Sequence, residues 1–177
     1  MKILSIRLEN INSLKGQWFI DLTAPQFVNN GLFAITGSTG AGKSTIYDAI
    51  CLALYHETPR LKPSQGENDL MTRGTAECLV EVEFFARDQR YRASWTQRRA
   101  KHNPNGKLQG PKAELALVEE QGDKIIEAHL ARVRKKVEEV TRLDFGRFTR
   151  SMMLAQGGFD AFLSAKENER AQLLEQL

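Results

Sequence analysis

The chain has 177 residues, 41% hydrophobic and 27% charged, with a formal net charge of +3. That length supports one domain with a real core, and the composition excludes both a disordered chain and a collagen-like repeat. No apolar run nears the roughly 18 residues of a membrane helix, and "MKILSIRLEN" lacks the apolar stretch and cleavage site of a signal peptide. Cys51 and Cys78 stand in apolar contexts outside any CxxC, the pattern of reduced, buried thiols in a cytoplasmic protein. His56, His102 and His129 are scattered without metal-ligand spacing, so no zinc site is expected.

In chain order, "ILSIRLEN" alternates Leu4, Ile6 and Leu8 with polar neighbours, the period of a half-buried strand. "INSLKG" is a turn cluster and "QWFIDLT" reads as a second strand, antiparallel to the first. "PQFVNNG" reads as a loop. "LFAIT" is a short unbroken apolar run, as expected of a strand buried on both faces.

Gly37-Ser38-Thr39-Gly40-Ala41-Gly42-Lys43-Ser44 then matches GxxxxGK[ST] in full, between that strand and a helix. The helix follows from Ile46, Ala49, Ile50, Ala53 and Leu54, which share one stripe at 3.6-residue spacing. Glycines permit positive φ and let successive backbone N–H groups curl around a phosphate, and the helix N-terminus adds partial positive charge. Lys43 reaches β- and γ-phosphates in such a loop, and the Ser44 hydroxyl takes one site on Mg²⁺. The expected ligand is therefore a nucleoside triphosphate with Mg²⁺.

"HETPRLKPSQGENDLMTRGTAE" carries turn residues and no periodicity, so a long loop is expected. Three strand-like runs follow, "CLVEVEFFA", "RYRASWTQRR" and "AELALVEE", with "NPNG" and "EQGD" as turns. Leu130, Val133, Val137, Val140 and Leu143 recur at helical spacing. "FGRFTRSMMLAQGGFDAFL" mixes strand and loop character. Ser164 stands three residues before Glu167, a capping box for a last helix in which Leu173, Leu174 and Leu177 suit the start of a coiled coil.

A self-contained P-loop kinase or NTPase needs an acidic residue after a buried strand, and only "LALVEE" offers one. There Glu119 would hold Mg²⁺ and Glu120 would act as base. The adjoining "EQGD" turn and short flanking strands favour a hairpin instead. "LAQGGF" lacks the serine of the LSGGQ signature. The chain thus holds half the parts of an ATPase.

Six segments in order, "MKILSIRLENINSLKG", "GLFAITGSTGAGKST", "DAICLALYHETPRL", "NDLMTRGTAECLVEVEF", "YRASW" and "GRFTRSMMLAQGGFDAFLSAKENERAQLLEQL", give the chain its family likeness. It resembles the N-terminal part of the SbcC family, ATPase subunits of bacterial SbcC–SbcD nucleases, and more loosely ATPases of the structural-maintenance-of-chromosomes type. The resemblance implies an α/β P-loop NTPase fold of the ABC-ATPase type. Residues 1–163 would form its N-terminal lobe, an antiparallel β-subdomain plus a parallel-sheet P-loop core, and residues 164–177 would begin a coiled coil. It implies completion by a C-terminal lobe, an ATP-dependent homodimer, a nuclease subunit of the SbcD type, and double-stranded DNA, without a membrane.

The same resemblance makes Gly37 to Thr45 the nucleotide cradle and Gln156 the Q-loop glutamine, facing Mg²⁺ and the hydrolytic water. Relatives often show Gln-Gly-Gln there, where this chain has Gln156-Gly157-Gly158. It brings Asn12 and Ser13 toward the nucleotide, in a place where relatives carry a basic residue, and Thr72 and Arg73 of "MTRG" alongside. From Arg87 to Lys112, eight Arg and Lys face Asp88 alone, a net +7 in 26 residues, leaving −4 elsewhere. Alternation along Arg90–Arg98 puts Arg90, Arg92 and Arg98 on one face and Tyr91, Ala93 and Trp95 on the other. Two readings stand for Arg90, Arg92, Arg98, Arg99 and Lys101: a DNA-phosphate surface, which the resemblance favours, or a solvated outer face. The helix from His129 to Leu143, with Arg132, Arg134, Lys135, Lys136 and Arg142, has the same two readings, and Glu127, Glu138 and Glu139 nearby favour a solvated face.

Overall fold

The computed structural model describes residues 1–28 and 35–151. Six strands form one sheet in the order β2-β1-β3-β4-β5-β6, and every pairing among the described residues is antiparallel. They are β1 (Lys2–Ile11), β2 (Leu14–Asp21), β3 (Glu77–Ala86), β4 (Gln89–Arg98), β5 (Lys112–Leu117) and β6 (Lys124–Glu127). Among the described residues four α-helices and a 3₁₀ turn (Ala100–His102) accompany them: α1 (Pro25–Val28), α2 (Lys43–Tyr55), α3 (Leu130–Thr141) and α4 (Phe145–Ser151).

The sheet has two chemically distinct faces because its strands alternate. In β3, Cys78, Val80, Val82, Phe84 and Ala86 are buried, while Glu81 and Glu83 between them face outward. β4 answers with Tyr91, Ala93, Trp95 and Gln97. The register sets large against small, pairing Val82 with Ala93 and Val80 with Trp95, and it stacks Phe84 on Tyr91 with ring centroids 5.5 Å apart. Trp95 is 1% exposed, so its truncation to Ala is expected to cost roughly 3–5 kcal/mol.

Helix α2 lies on the inner face against β1, β3 and β4. Its burial exceeds the single stripe read from its sequence, since all eight residues from Asp48 to Tyr55 are buried. The small side chains of Ala49, Cys51 and Ala53 let the sheet approach on one side and α3 and α4 on the other. α3 follows its periodicity, burying Val133, Val137 and Val140. α2 stops at His56, whose φ of 64° breaks the helical path. The His56 Nε2 is buried without a hydrogen-bond partner among the described residues. Burial, helped by the nearby Arg134 charge, pushes its pKa down to about 4.

Three elements depart from the sequence reading. "PQFV" is a helical turn rather than loop, with proline at the first helical position, where its missing N–H costs nothing. "KIIE" is an edge strand too short to show a period. "FGRFTRS" is helix α4, opened by Asp144, whose Oδ1 accepts the Arg147 N–H at 2.8 Å. Of the expected strand "LFAIT", Ile35 and Thr36 belong to no regular element, and the rest lies outside the described residues. So do Gln156, "LAQGGF" and the expected helix from Ser164. Among the described residues no helix is long and apolar enough to cross a membrane.

Candidate nucleotide site

The glycine-rich loop leads into α2 at Gly42, which has φ 88°. That conformation alone favours glycine, and a Cβ there would also meet Leu14 Cδ2 at 2.8 Å. Leu14 opens β2, so the loop is pressed against the β1–β2 turn. No side chain caps the first turn of α2, leaving its backbone N–H groups for an anion. Ser38, Thr39, Gly40, Ala41 and Ser44 are exposed around this end. The Lys43 ammonium curls back over the loop, donating to the Gly37 and Ser38 carbonyls at 2.8 Å each. Thr45, by contrast, is 4% exposed, so its side chain belongs to the core and only its backbone can serve the cradle.

Asn12, Ser13, Thr72 and Arg73 were expected beside this loop, and the hydrogen bonds join two of them directly. Asn12 has φ 49°, which ends β1 and turns the chain. Its N–H donates to the Leu70 carbonyl at 2.7 Å, and its own carbonyl accepts the Thr72 hydroxyl at 2.9 Å. The Thr72 N–H donates to the Asn10 carbonyl at 2.9 Å, and Ile11 bridges Met71. The β1–β2 turn and the Met71–Gly74 segment are therefore zipped together. Ser13 and Arg73 are exposed at their margins.

The sequence reading missed Asp48 and Arg60. Asp48 Oδ2 accepts from Arg60 Nη2 at 2.6 Å and from Asn12 Nδ2 at 3.4 Å, and the side chain is 2% exposed. Burial pushes its pKa up, against the opposing pull of Arg60 and Asn12. One signal was available: a carboxylate inside the otherwise apolar run "YDAICLAL".

The cationic segment divides along β4. Arg90 pairs with Glu83, and Arg92 with Asp123, with Glu81 at 3.6 Å and with Glu114 at 3.7 Å. Both guanidiniums are thus neutralised across neighbouring strands. At the opposite end of β4, Arg98 approaches His102 Nε2 at 3.3 Å, Arg99 donates to the Gly106 carbonyl at 3.2 Å, and Lys101 is exposed. The second set sits in the β4–β5 connection, at the end of the sheet where Glu9, Leu79 and Thr96 are in register. That is also the end where β1 turns past the glycine loop.

Glu119 and Glu120 are exposed in the turn after β5. Leu117 pairs with Tyr91, which pairs with Phe84, which pairs with Ile3. The two carboxylates therefore sit at the far end of the sheet from the glycine loop, and three strand spacings from β1. Neither can reach a phosphate held at Lys43.

A family model described as an AAA domain matches residues 5–177. The chain is 42% identical to the SbcC subunit of the SbcCD nuclease of Pseudomonas aeruginosa, covering 100% of this chain and 16% of that protein. The same figures hold for its namesake from Rhodobacter capsulatus. The chain thus spans about a sixth of the length of these curated relatives. A solved structure from work on ATP-driven dimerization and DNA-stimulated activation of SMC ATPases aligns over 99% of both chains, with a TM-score of 0.57 and 18% identity. At that identity the likeness is one of fold.

Proposed function

The chain belongs to the AAA domain family, and from that premise we propose that it is the nucleotide-binding lobe of a split ATPase serving a DNA nuclease. The observation that carries the reading is the full GxxxxGK[ST] loop at the uncapped start of α2, with the β1–β2 turn and Met71–Gly74 bonded to each other beside it. The names of the 42% identical relatives support the nuclease context.

The residues fit Mg-ATP. Gly37, Gly40 and Gly42 keep side chains off the loop backbone, Lys43 supplies charge, and the exposed Ser44 hydroxyl supplies an oxygen for the metal. When bound, the nucleotide brings the phosphoanhydride whose hydrolysis drives the protein. This chain's residues bind and orient it: the glycine loop cradles phosphates, Lys43 offsets their charge, and Asn12 and Thr72 border the site. Gln156 is assigned to the metal and water by resemblance. The general base would come from a C-terminal lobe, and a signature motif from a second protomer.

On this reading the partner nuclease is of the SbcD type and the substrate is double-stranded DNA in repair and recombination. Arg99 and Lys101 are the better candidates for DNA phosphates, with Arg98 beside them, because Arg90 and Arg92 already pair with carboxylates while the Glu77 opposite Arg98 pairs with His102. Free, buried Cys51 and Cys78 accord with a reducing cytoplasmic setting.

The test is Mg-ATP binding and turnover by this chain, alone and mixed with a separately produced C-terminal lobe, with and without duplex DNA. Binding without appreciable turnover alone, and turnover on mixing, is the expected outcome. Full turnover alone that is lost in Glu120→Gln would overturn the split-ATPase reading.

A further inference from the structure

Asp48 lies four residues after Ser44, one turn further along α2. A carboxylate 2% exposed is costly unless it is paired and hydrogen-bonded. Here the pairing reaches across the chain. Arg60 Nη2 comes from the segment between α2 and β3, and Asn12 Nδ2 from the β1–β2 turn. The Asn12 backbone is bonded in turn to Leu70 and Thr72. One carboxylate thus joins three segments, each bearing residues assigned above to the nucleotide: Ser44 on α2, Asn12 and Ser13 on the turn, and Thr72 beyond Arg60. The Asp48 carboxylate bonds protein groups on the neighbouring segments rather than Lys43 or Ser44, so any part it plays runs through those segments.

We propose that Asp48 is a positioning residue of the nucleotide site. It clamps the β1–β2 turn and the segment from Arg60 to Thr72 onto the P-loop helix, so that both segments respond together when a nucleoside triphosphate binds. The inference rests on the nucleotide-binding reading and adds to it a coupling between flanking segments. A salt bridge that merely stabilised the fold would raise thermal stability without linking Met71–Gly74 to the ligand.

Asp48→Asn keeps the shape of the side chain and removes its charge. Mg-ATP affinity is measured by calorimetry on this chain, and hydrogen exchange of residues 68–75 is followed with and without saturating Mg-ATP. The wild type is expected to gain protection there on binding nucleotide. Asp48→Asn is expected to bind about tenfold more weakly, the scale of one charge-assisted hydrogen bond, and to lose the nucleotide-dependent protection even at saturation. Arg60→Met should do the same, and the double variant no more than the worse single. A folded Asp48→Asn that binds like wild type with protection intact overturns the inference. If Asp48→Asn does not fold, Arg60 decides: the inference requires protection to survive in Arg60→Lys and vanish in Arg60→Met, and equal behaviour of the two overturns it. Absence of Mg-ATP binding by the wild type would remove the nucleotide reading itself, an outcome distinct from failure of the clamp alone.

Discussion

The two ends of the sheet treat charge in opposite ways. At the far end, β3, β4, β5 and the β5–β6 turn set arginines against carboxylates, so that Arg90 and Arg92 face Glu83, Glu81, Glu114 and Asp123. At the near end, among the described residues, Lys43 and Arg99 donate to backbone carbonyls and Lys101 faces water, and the one carboxylate in register with Arg98, Glu77, pairs with His102. Both ends are rich in cations, yet the arginines of the far end already face carboxylates. Charge counted along a sequence measures supply. Availability is set by what the neighbouring strand places opposite.

The largest expected effect tests the contrast directly. Lys43→Ala should weaken Mg-ATP binding by about a hundredfold or more, as expected for loss of a charged donor to phosphate, whereas Glu120→Gln should change it by less than about twofold. Isothermal calorimetry on the two variants reads both, and comparable losses would erase the distinction between the ends.

A second comparison adds burial as a third way of handling charge. His56 stays neutral in the folded protein down to about pH 4, while an ordinary histidine takes up its proton near 6.5. Between those values the unfolded chain binds more protons, so stability falls as pH drops from 6.5 to 4. The full window corresponds to on the order of 3 kcal/mol, less whatever residual solvent contact returns. Urea melts across this range should show a slope that shrinks in His56→Asn, a residue that tolerates the left-handed φ. An unchanged slope would assign the pH dependence to the carboxylates instead.

Arg92→Ala leaves Glu114 and Asp123 without their shared guanidinium and Glu81 with Arg7 alone, at 3.8 Å. It should lower stability by about 1 to 2 kcal/mol and leave DNA binding nearly untouched. The smallest effects are expected at the near end. Alanine at Arg98, Arg99 or Lys101 should each weaken duplex binding several-fold and reduce the salt dependence by about one counterion, with stability nearly unchanged. If Arg92→Ala instead took away the salt-dependent binding, the assignment of the two ends would be reversed.

Much of this was legible from residue order. Alternation in "CLVEVEFFA" and "RYRASWTQRR" marked both strands and put Tyr91 and Trp95 in the core, because a half-buried strand leaves a period of two. The glycine loop was legible because its backbone demands particular residues at particular places. What escaped depends on partners distant in sequence. The neutralisation of Arg92 requires knowing that β4 lies between β3 and β5, and the Asp48–Arg60–Asn12 contacts span 12 and 36 residues. "KIIE" and "FGRFTRS" escaped because four and seven residues are too few to display a period, so the sheet edge and the cap from Asp144 decide them.

The burial of α2 carries a mechanical consequence. A helix of 13 residues is about 20 Å long, and this one is held on all sides from Asp48 onward. Close packing leaves no slack in which a small displacement at its start could dissipate. Its last residue, Tyr55, donates a hydrogen bond to the Leu143 carbonyl at 3.1 Å and touches the Phe145 and Phe148 rings, at the joint between α3 and α4. One continuous packed element therefore joins the glycine loop at its start to the α3–α4 joint at its end.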